Sequence, residues 1–426
     1  MNINDIVGID AHSMSEELSE HKLKKNYKYG TQRICSPEQT WERIKSLLPN
    51  FGITRVADIT WLDCLGIPVY VAIRPNSKTI AQSNGKGLTL MQAKVSAVME
   101  SIEVWHGEEL SIDHSVSTTA NLIQQNLLSY NPSTLIPMPG GFFSDTIPIS
   151  WVSCEDITNN TTTYMPKELM DLNWTLKQQA HLPCFMSNTV GLASGNSLLE
   201  ATLHGLCEVI ECDLLVQYSS YIANNSRKLV ELQTIDSSLC QQLIEQYKQA
   251  NAKVYVEDIS SDFGLAGFQV NVSLSDHIGL STGYGCHPNR ETALLRALTE
   301  AAQCRATVIS GARDDIHPIS YHTGRNPRSD SHFLQQLAQQ KQLTDYRTII
   351  SSDSNYIEDD LQAIIKTLKE KLRTVVLVTD LSNQHYGIPV VKVVVPVLEH
   401  PLHKMGARAS RSPQANTSAN TRESEG

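Results

Sequence analysis

Several things are missing from this chain, and each absence excludes something. No apolar run approaches the ~18–20 residues needed to span a bilayer. The stretch Met1–Glu20 is acidic and polar and lacks the apolar segment of a secretory signal. There is no basic excess: Lys plus Arg total 35 against 45 Asp plus Glu, a net charge of −10, which argues against nucleic acid or a membrane surface as partner. Nine cysteines, at 35, 64, 154, 184, 207, 212, 240, 286 and 304, are odd in number and include no C-x-x-C pair. That speaks against a disulfide framework or a zinc knuckle and for the reduced thiols of a soluble cytoplasmic protein. Also absent is any G-x-x-x-x-G-K-[ST] segment; Gly85-Lys86-Gly87 precedes a helix without the P-loop spacing.

What is present is a folded chain. Of 426 residues, 41% are hydrophobic and 19% charged, a balance that supplies a large core and rules out general disorder. Residues 1–30 are polar and Lys-rich after His21 and read as a mobile arm. Residues 409–426 are rich in Ser, Asn, Thr and Arg and read as a disordered tail. Between them no Gly/Ser or Pro linker interrupts residues 31–408, so one catalytic domain is expected. Strand-like runs at 67–73, 267–273, 374–379 and 390–395 alternate with helical periodicity over 88–109, 197–218 and 290–310. The class is therefore α+β, mixed sheets packed with helices. Gly-Ile-Pro-Val occurs twice, at 66–69 and 387–390, each time ahead of a strand. Ser197 and Glu200 form a capping-box pattern, and Asn289 is a candidate N-cap.

The three helices carry polar stripes in otherwise apolar surroundings. At about 100° per residue, Ser96, Glu100 and Glu103 share a face. Glu200, His204, Glu208 and Glu211 follow Asn196 along a second, and Arg296, Glu300 and Gln303 mark a third, with Arg305 just beyond. Solvated faces would explain one such stripe. Three of them predict convergent carboxylates, which are costly to bury without a cation. Oxygen ligands at that density suit Mg²⁺, which usually bridges to phosphates. Lys86, Arg296 and Arg305 then become candidate phosphate contacts.

Taken together the segments resemble the YcaO superfamily, ATP-dependent enzymes that modify peptide backbones. The resemblance runs through Gly52-Ile-Thr-Arg55, Gly66-Ile-Pro-Val69, Arg74-Pro-Asn76 and Gly85-Lys86-Gly87. It then takes in Ser96-x-x-x-Glu100-x-x-Glu103, Asn196 with Glu200, Glu208, Glu211 and Asp213, and Arg296 through Arg305. It implies a YcaO-like fold with an ATP site lined by acidic helices. Glu100, Glu103, Glu200, Glu208 and Glu211 are implied to hold Mg²⁺. Ser96, Asn196, Gln303 and Arg305 are implied to contact ATP. The implied chemistry is phosphorylation of a backbone carbonyl oxygen after a nucleophile adds, with phosphate leaving.

The chain also departs from the family pattern. Val104 and Cys212 stand where an Arg often follows E-x-x-E, and Glu103-Val104-Trp105-His106 resembles the TfuA-associated, thioamide-forming branch. The Pro-rich end of the azoline-forming branch is lacking, since the late prolines are only Pro396, Pro401 and Pro413. A thioamide product on a ribosomally made peptide or protein is thus expected. A TfuA-like sulfur-delivery partner goes with it, and a homodimer is allowed. The alternatives are an azoline-forming cyclodehydratase, and a YcaO-like ATPase or scaffold assisting another modification such as ribosomal-protein methylthiolation. His106 is balanced between packing and a role at the site. His204 reads as a hydrogen-bonded partner, His287 as shaping a turn, and Cys212 as a small buried hydrophobe rather than a nucleophile.

Overall fold

The computed structural model describes residues 22–175, 183–223, 227–260, 263–276, 278–313, 333–337 and 343–400. The tail at 409–426 and the first 21 residues of the expected arm lie outside them. Helix α1 (Pro37–Ile44) opens on a Ser36/Gln39 capping box. Strands β1 (Arg55–Asp58), β2 (Val69–Ile73) and β3 (Gln82–Lys86) form an antiparallel sheet that feeds helix α2 (Leu90–Glu108). Next come β4 (Ser115–Thr118), α3 (Thr119–Gln124), β5 (Pro148–Asp156), β6 (Thr161–Pro166), β7 (Leu192–Ser194) and the long helix α4 (Leu198–Ala223). After these, β8 (Leu229–Val230), α5 (Ser238–Gln249), β9 (Lys253–Asp258), β10 (Ala266–Ser273) and β11 (Leu280–His287) lead into α6 (Arg290–Ser310). The described chain closes with β12 (Leu343–Thr344), α7 (Ile357–Leu372), β13 (Leu377–Asp380) and β14 (Val390–Val394).

Three sheets result, ordered β1-β2-β3, β11-β10-β9-β8-β12 and β4-β5-β13-β14-β7, with β6 also on β5. The architecture is mixed α+β as expected. Among the described residues no helix is long and apolar enough to cross a membrane. All nine cysteines are free.

The same device twice seats an acidic-stripe helix on a sheet. A Cβ on Gly85 of β3 would lie 2.2 Å from the Ala93 carbonyl of α2, and one on Gly285 of β11 would lie 2.1 Å from the Ala293 carbonyl of α6. Only glycine lets each helix backbone come this near its strand. Both helices are then capped, α2 by a Thr89/Gln92 capping box and α6 by Asn289, whose side chain accepts from the Thr292 amide. Helix α4 packs on β14 and β7, with Leu206, Ile210 and Leu214 against Val391 and Val393. Its expected capping box is half formed. The Glu200 amide donates to Ser197 Oγ at 3.1 Å, but the Glu200 carboxylate takes the Asn196 amide instead of that of Ser197.

The Lys-rich start departs from expectation. Residues 22–30 of the expected arm are tied down. The Leu23 amide donates to both Glu358 carboxylate oxygens, at 2.7 and 2.9 Å, and Lys22 pairs with Asp359. Lys25 forms an ion pair with Asp360 in which both side chains are 1% exposed. Acids in the first turn of α7 suit the positive end of its dipole, and the lysines of this strap neutralise them. Gly30 (φ +73°) turns the strap back on itself, with Tyr27 and Arg33 bridged. Removing one partner of a buried pair strands the other charge. Lys25→Met should therefore cost about 3–5 kcal/mol in urea denaturation, and Lys25→Met with Asp360→Leu should recover much of that loss. Equal losses in the single and double variants would show that the pair does not hold the strap.

Candidate active site

Helices α2, α4 and α6 face one another across a cleft of about 390 Å³, closed on a further side by residues 30–40. That size is within the range of small-molecule sites. Lys86, Ser96, Glu100, Glu103, Asn196, Glu200, Glu208, Glu211 and Arg296 all line it. The fold brings these nine together from elements far apart in sequence: seven from the stripes on α2, α4 and α6, Lys86 from the end of β3 and Asn196 from just before α4.

Gln303 and Arg305 do not line the cleft. Gln303 donates from Nε2 to the Asn84 carbonyl of β3 at 2.5 Å, which joins α6 to the first sheet. Arg305, 1% exposed, bonds Asp63 from Nε at 2.9 Å and Asp276 from Nη2 at 2.6 Å. For Arg305 the reason is angular. Five residues beyond Glu300 is about 140° around the helix, too far to share its face, whereas Arg296 is only about 40° away. Arg305 as a phosphate contact is corrected to a buried structural ion pair, and Gln303 to an inter-element hydrogen bond.

The acids are held in different ways. Glu103 accepts from both the amide (2.8 Å) and the hydroxyl (2.5 Å) of Ser194 on β7. Glu208 accepts from the Gly191 amide at 3.2 Å. Glu200 is the most committed, accepting from the Asn196 amide, the Ile34 amide at 2.8 Å and Arg33 at 3.3 Å. Lys86 is paired with Glu300. Burial pushes Glu100, Glu103, Glu208 and Glu211 each up to about 7. Mutual repulsion adds to this: Glu103 acts on Glu208, and Glu300 on Glu211. Lys86 and Arg296 offset part of it at Glu211, as the Ser194 hydrogen bond does at Glu103. No three of the carboxylates converge on one point among the described residues, so the expected cage is an acid-lined cleft rather than a closed nest of ligands. An oxygen-only donor set spread in this way fits Mg²⁺ held by one or two carboxylates together with phosphates and waters.

His204 lies between two arginines, with Arg33 Nη2 3.3 Å from Nδ1 and Arg296 Nη2 2.7 Å from Nε2. Burial and both guanidiniums drive it well below its ordinary range, so the ring is neutral and accepts from one of the two arginines, through the nitrogen that carries no proton. Arg33 went unnoticed in the sequence because the strap has no periodicity, and Thr40 of α1, whose hydroxyl donates to Asn196 Oδ1 at 2.9 Å, because its partner lies 156 positions away. Glu300 shares a face with Arg296, and that spacing was the available signal for it. His106 resolves to packing: it is 3% exposed, its Nδ1 is 2.8 Å from the Ile102 carbonyl, and Phe51 and Trp105 flank its ring. His287 accepts the Asn289 amide at 2.9 Å and shapes the turn before α6. Burial raises the Cys212 thiol far above the range of a nucleophile.

A family model described as YcaO cyclodehydratase, ATP- and Mg²⁺-binding, matches residues 84–399. The chain belongs to the YcaO family. An uncharacterised Mycobacterium tuberculosis protein is 37% identical over 298 residues, 70% of this chain and 66% of that protein, so the chain spans just under two thirds of this relative. A Rhizobium leguminosarum bv. trifolii protein, described by its place in the tfuA 3′ region, is 31% identical over 86% of this chain and 88% of its own length. Among solved structures, YcaO from Methanopyrus kandleri bound with AMPPCP and Mg²⁺ superposes with a TM-score of 0.70 at 20% identity, covering 92% of this chain and 99% of that one. A heterocyclase in complex with substrate and cofactor superposes at 0.73 and 22% identity, over 89% of this chain and 55% of that one. At such identities the two structures speak for the YcaO fold.

Proposed function

We propose that this YcaO protein uses ATP and Mg²⁺ to activate a backbone amide of a peptide or protein and converts it to a thioamide. The carrying observation is the cleft itself, where four half-buried glutamates, Glu100, Glu103, Glu208 and Glu211, line the same space as Lys86, Arg33 and Arg296. Mg²⁺ and ATP, when bound, would supply the phosphoryl group and neutralise its charge. Glu100, Glu103, Glu208 and Glu211 would hold the metal. Arg296 and Lys86, with Arg33 from the strap, would bind phosphate oxygens, and Ser96 and Asn196 would donate or accept at the nucleotide. Glu200 serves first to fix Arg33 and the strap backbone. An amide oxygen is a poor leaving group. Sulfide, as HS⁻, would add to the carbonyl carbon, the oxygen would take the γ-phosphoryl group as ADP leaves, and the carbon–oxygen bond would break to release phosphate, the sulfur giving up its proton to leave C=S.

Two features support sulfur as the nucleophile: Glu103-Val104-Trp105-His106 and the relative described by the tfuA 3′ region. A TfuA-like partner delivering sulfide goes with this reading. Azoline formation is the second reading, favoured by the cyclodehydratase description of the family model. Mass spectrometry of a peptide treated with the chain, ATP, Mg²⁺ and sulfide separates them. A thioamide gains the difference between sulfur and oxygen, while an azoline loses one water. Loss of water without need for sulfide would replace the thioamide by an azoline and leave amide activation standing.

A further inference from the structure

Next to the cleft, a buried lysine holds the turn whose Gly191 amide meets Glu208. Lys392 of β14 is 3% exposed and lines a separate cavity of about 70 Å³, not the cleft. Its Nζ donates to the Asn188 carbonyl at 2.6 Å and to the Val190 carbonyl at 2.9 Å. The turn is drawn together further by the Val190 amide on Asn188 Oδ1 at 3.0 Å and the Leu192 amide on the Thr189 carbonyl at 2.8 Å. It ends at Gly191, whose φ of +76° and closeness to Val393 (an added Cβ would be 2.2 Å from that carbonyl) admit no side chain. Gly191 in turn points its amide at the Glu208 carboxylate.

A buried ammonium is costly, and a leucine would pack at least as well among Val209, Val393 and Leu398. Two carbonyls turned inward from an irregular segment need a donor, and an adjacent carboxylate offsets the charge of a lysine but gives nothing to an apolar residue. We propose that Lys392 is a positioning residue for Glu208: it fixes the 188–191 turn, and so presets the Gly191 amide that aims this carboxylate into the cleft. The inference rests on the cleft being a metal–nucleotide site. It makes Lys392 an outer-sphere support for a ligand it does not touch, and such supports typically carry 10–100-fold in metal affinity.

The test is Mn²⁺ binding in the presence of a non-hydrolysable ATP analogue, by calorimetry, on the full chain and its Lys392→Met variant. Methionine keeps the volume and removes both hydrogen bonds and the charge. The expected result is Mn²⁺ binding weakened about 10–100-fold, with metal-free binding of the analogue unchanged. Unchanged Mn²⁺ affinity, or an equal loss of metal-free analogue binding, would overturn the role of the lysine alone. A wild-type chain that bound the analogue with no dependence on Mn²⁺ would overturn both this inference and the reading of the cleft. Should the variant not fold, hydrogen exchange on the wild type decides. A preset turn is protected at 189–192 before any ligand is added, and protection that came only with Mn²⁺ and the analogue would refute presetting.

Discussion

Glu208→Gln and Glu100→Gln should each lower ATP turnover on the order of 10²–10³-fold, while the metal-free chain stays folded and is no less stable. Both acids stand in the cleft and both are raised to about 7, burial being the main cause. Each also feels other carboxylates, Glu100 those of Glu208 and Glu300, and Glu208 that of Glu103. Glutamine keeps the shape and an acceptor oxygen, so the Gly191 amide on Glu208 keeps its partner. What glutamine removes is a negative charge that the fold does not need. The gain in stability should appear at pH 8, where the native glutamate is ionised, and fade at pH 6, where it is mostly protonated. Turnover assays alongside thermal melts at the two pH values check both halves. A variant that lost its cooperative melt would reassign that glutamate to a structural ion pair.

The contrast between Arg296 and Arg305 marks how far spacing along a helix can be read. The three stripes were legible because each lies on a helix otherwise surrounded by apolar residues, and periodicity fixes which residues share a face. The same periodicity puts Arg305 about 140° from Glu300, off the face that lines the cleft, although a phosphate contact was expected of it. Its partners, Asp63 and Asp276, come from loops that no local pattern ties to α6. Family resemblance supplied the order of the motifs, and the geometry then separated the residues at the cleft from those beside it.

The strap failed for a related reason. A run of lysines among polar residues describes a solvated arm unless acids are waiting for it, and the partner of Lys25 lies 335 positions away. Distance in sequence also hid Arg33, whose contacts Glu200 and His204 lie 167 and 171 positions away. By contrast, the repeated Gly-Ile-Pro-Val was informative at the level of the turn. Gly66 and Gly387 both adopt positive φ, +66° and +61°, and each tetrapeptide delivers a strand. The strands belong to different sheets, so the repeat is a shared way of entering a strand and not a duplicated unit.

Metal binding should be strongly pH-dependent, and in one direction. Glu100, Glu103, Glu208 and Glu211 are raised from 4.5 to about 7 in the folded chain. A group raised on folding favours the folded state below its unfolded value and loses that contribution as pH climbs through the folded one. The metal-free chain should accordingly lose stability between about pH 4.5 and 7 on account of these four residues. Mg²⁺ requires ionised ligands, so it must displace the protons that these carboxylates still hold below pH 7. Affinity for Mg²⁺ with nucleotide should fall about tenfold per pH unit for each proton displaced as pH drops below 7, and level off above pH 8. Calorimetry in two buffers of different ionisation heat counts the protons. The Glu208→Gln variant, measured at saturating nucleotide, should release fewer than the wild type, a difference that cancels protons bound by the nucleotide itself. Equal proton release from the two proteins at pH 6.5 would mean that Glu208 is already ionised in the metal-free cleft, and the repulsion argued for that glutamate would have to be abandoned.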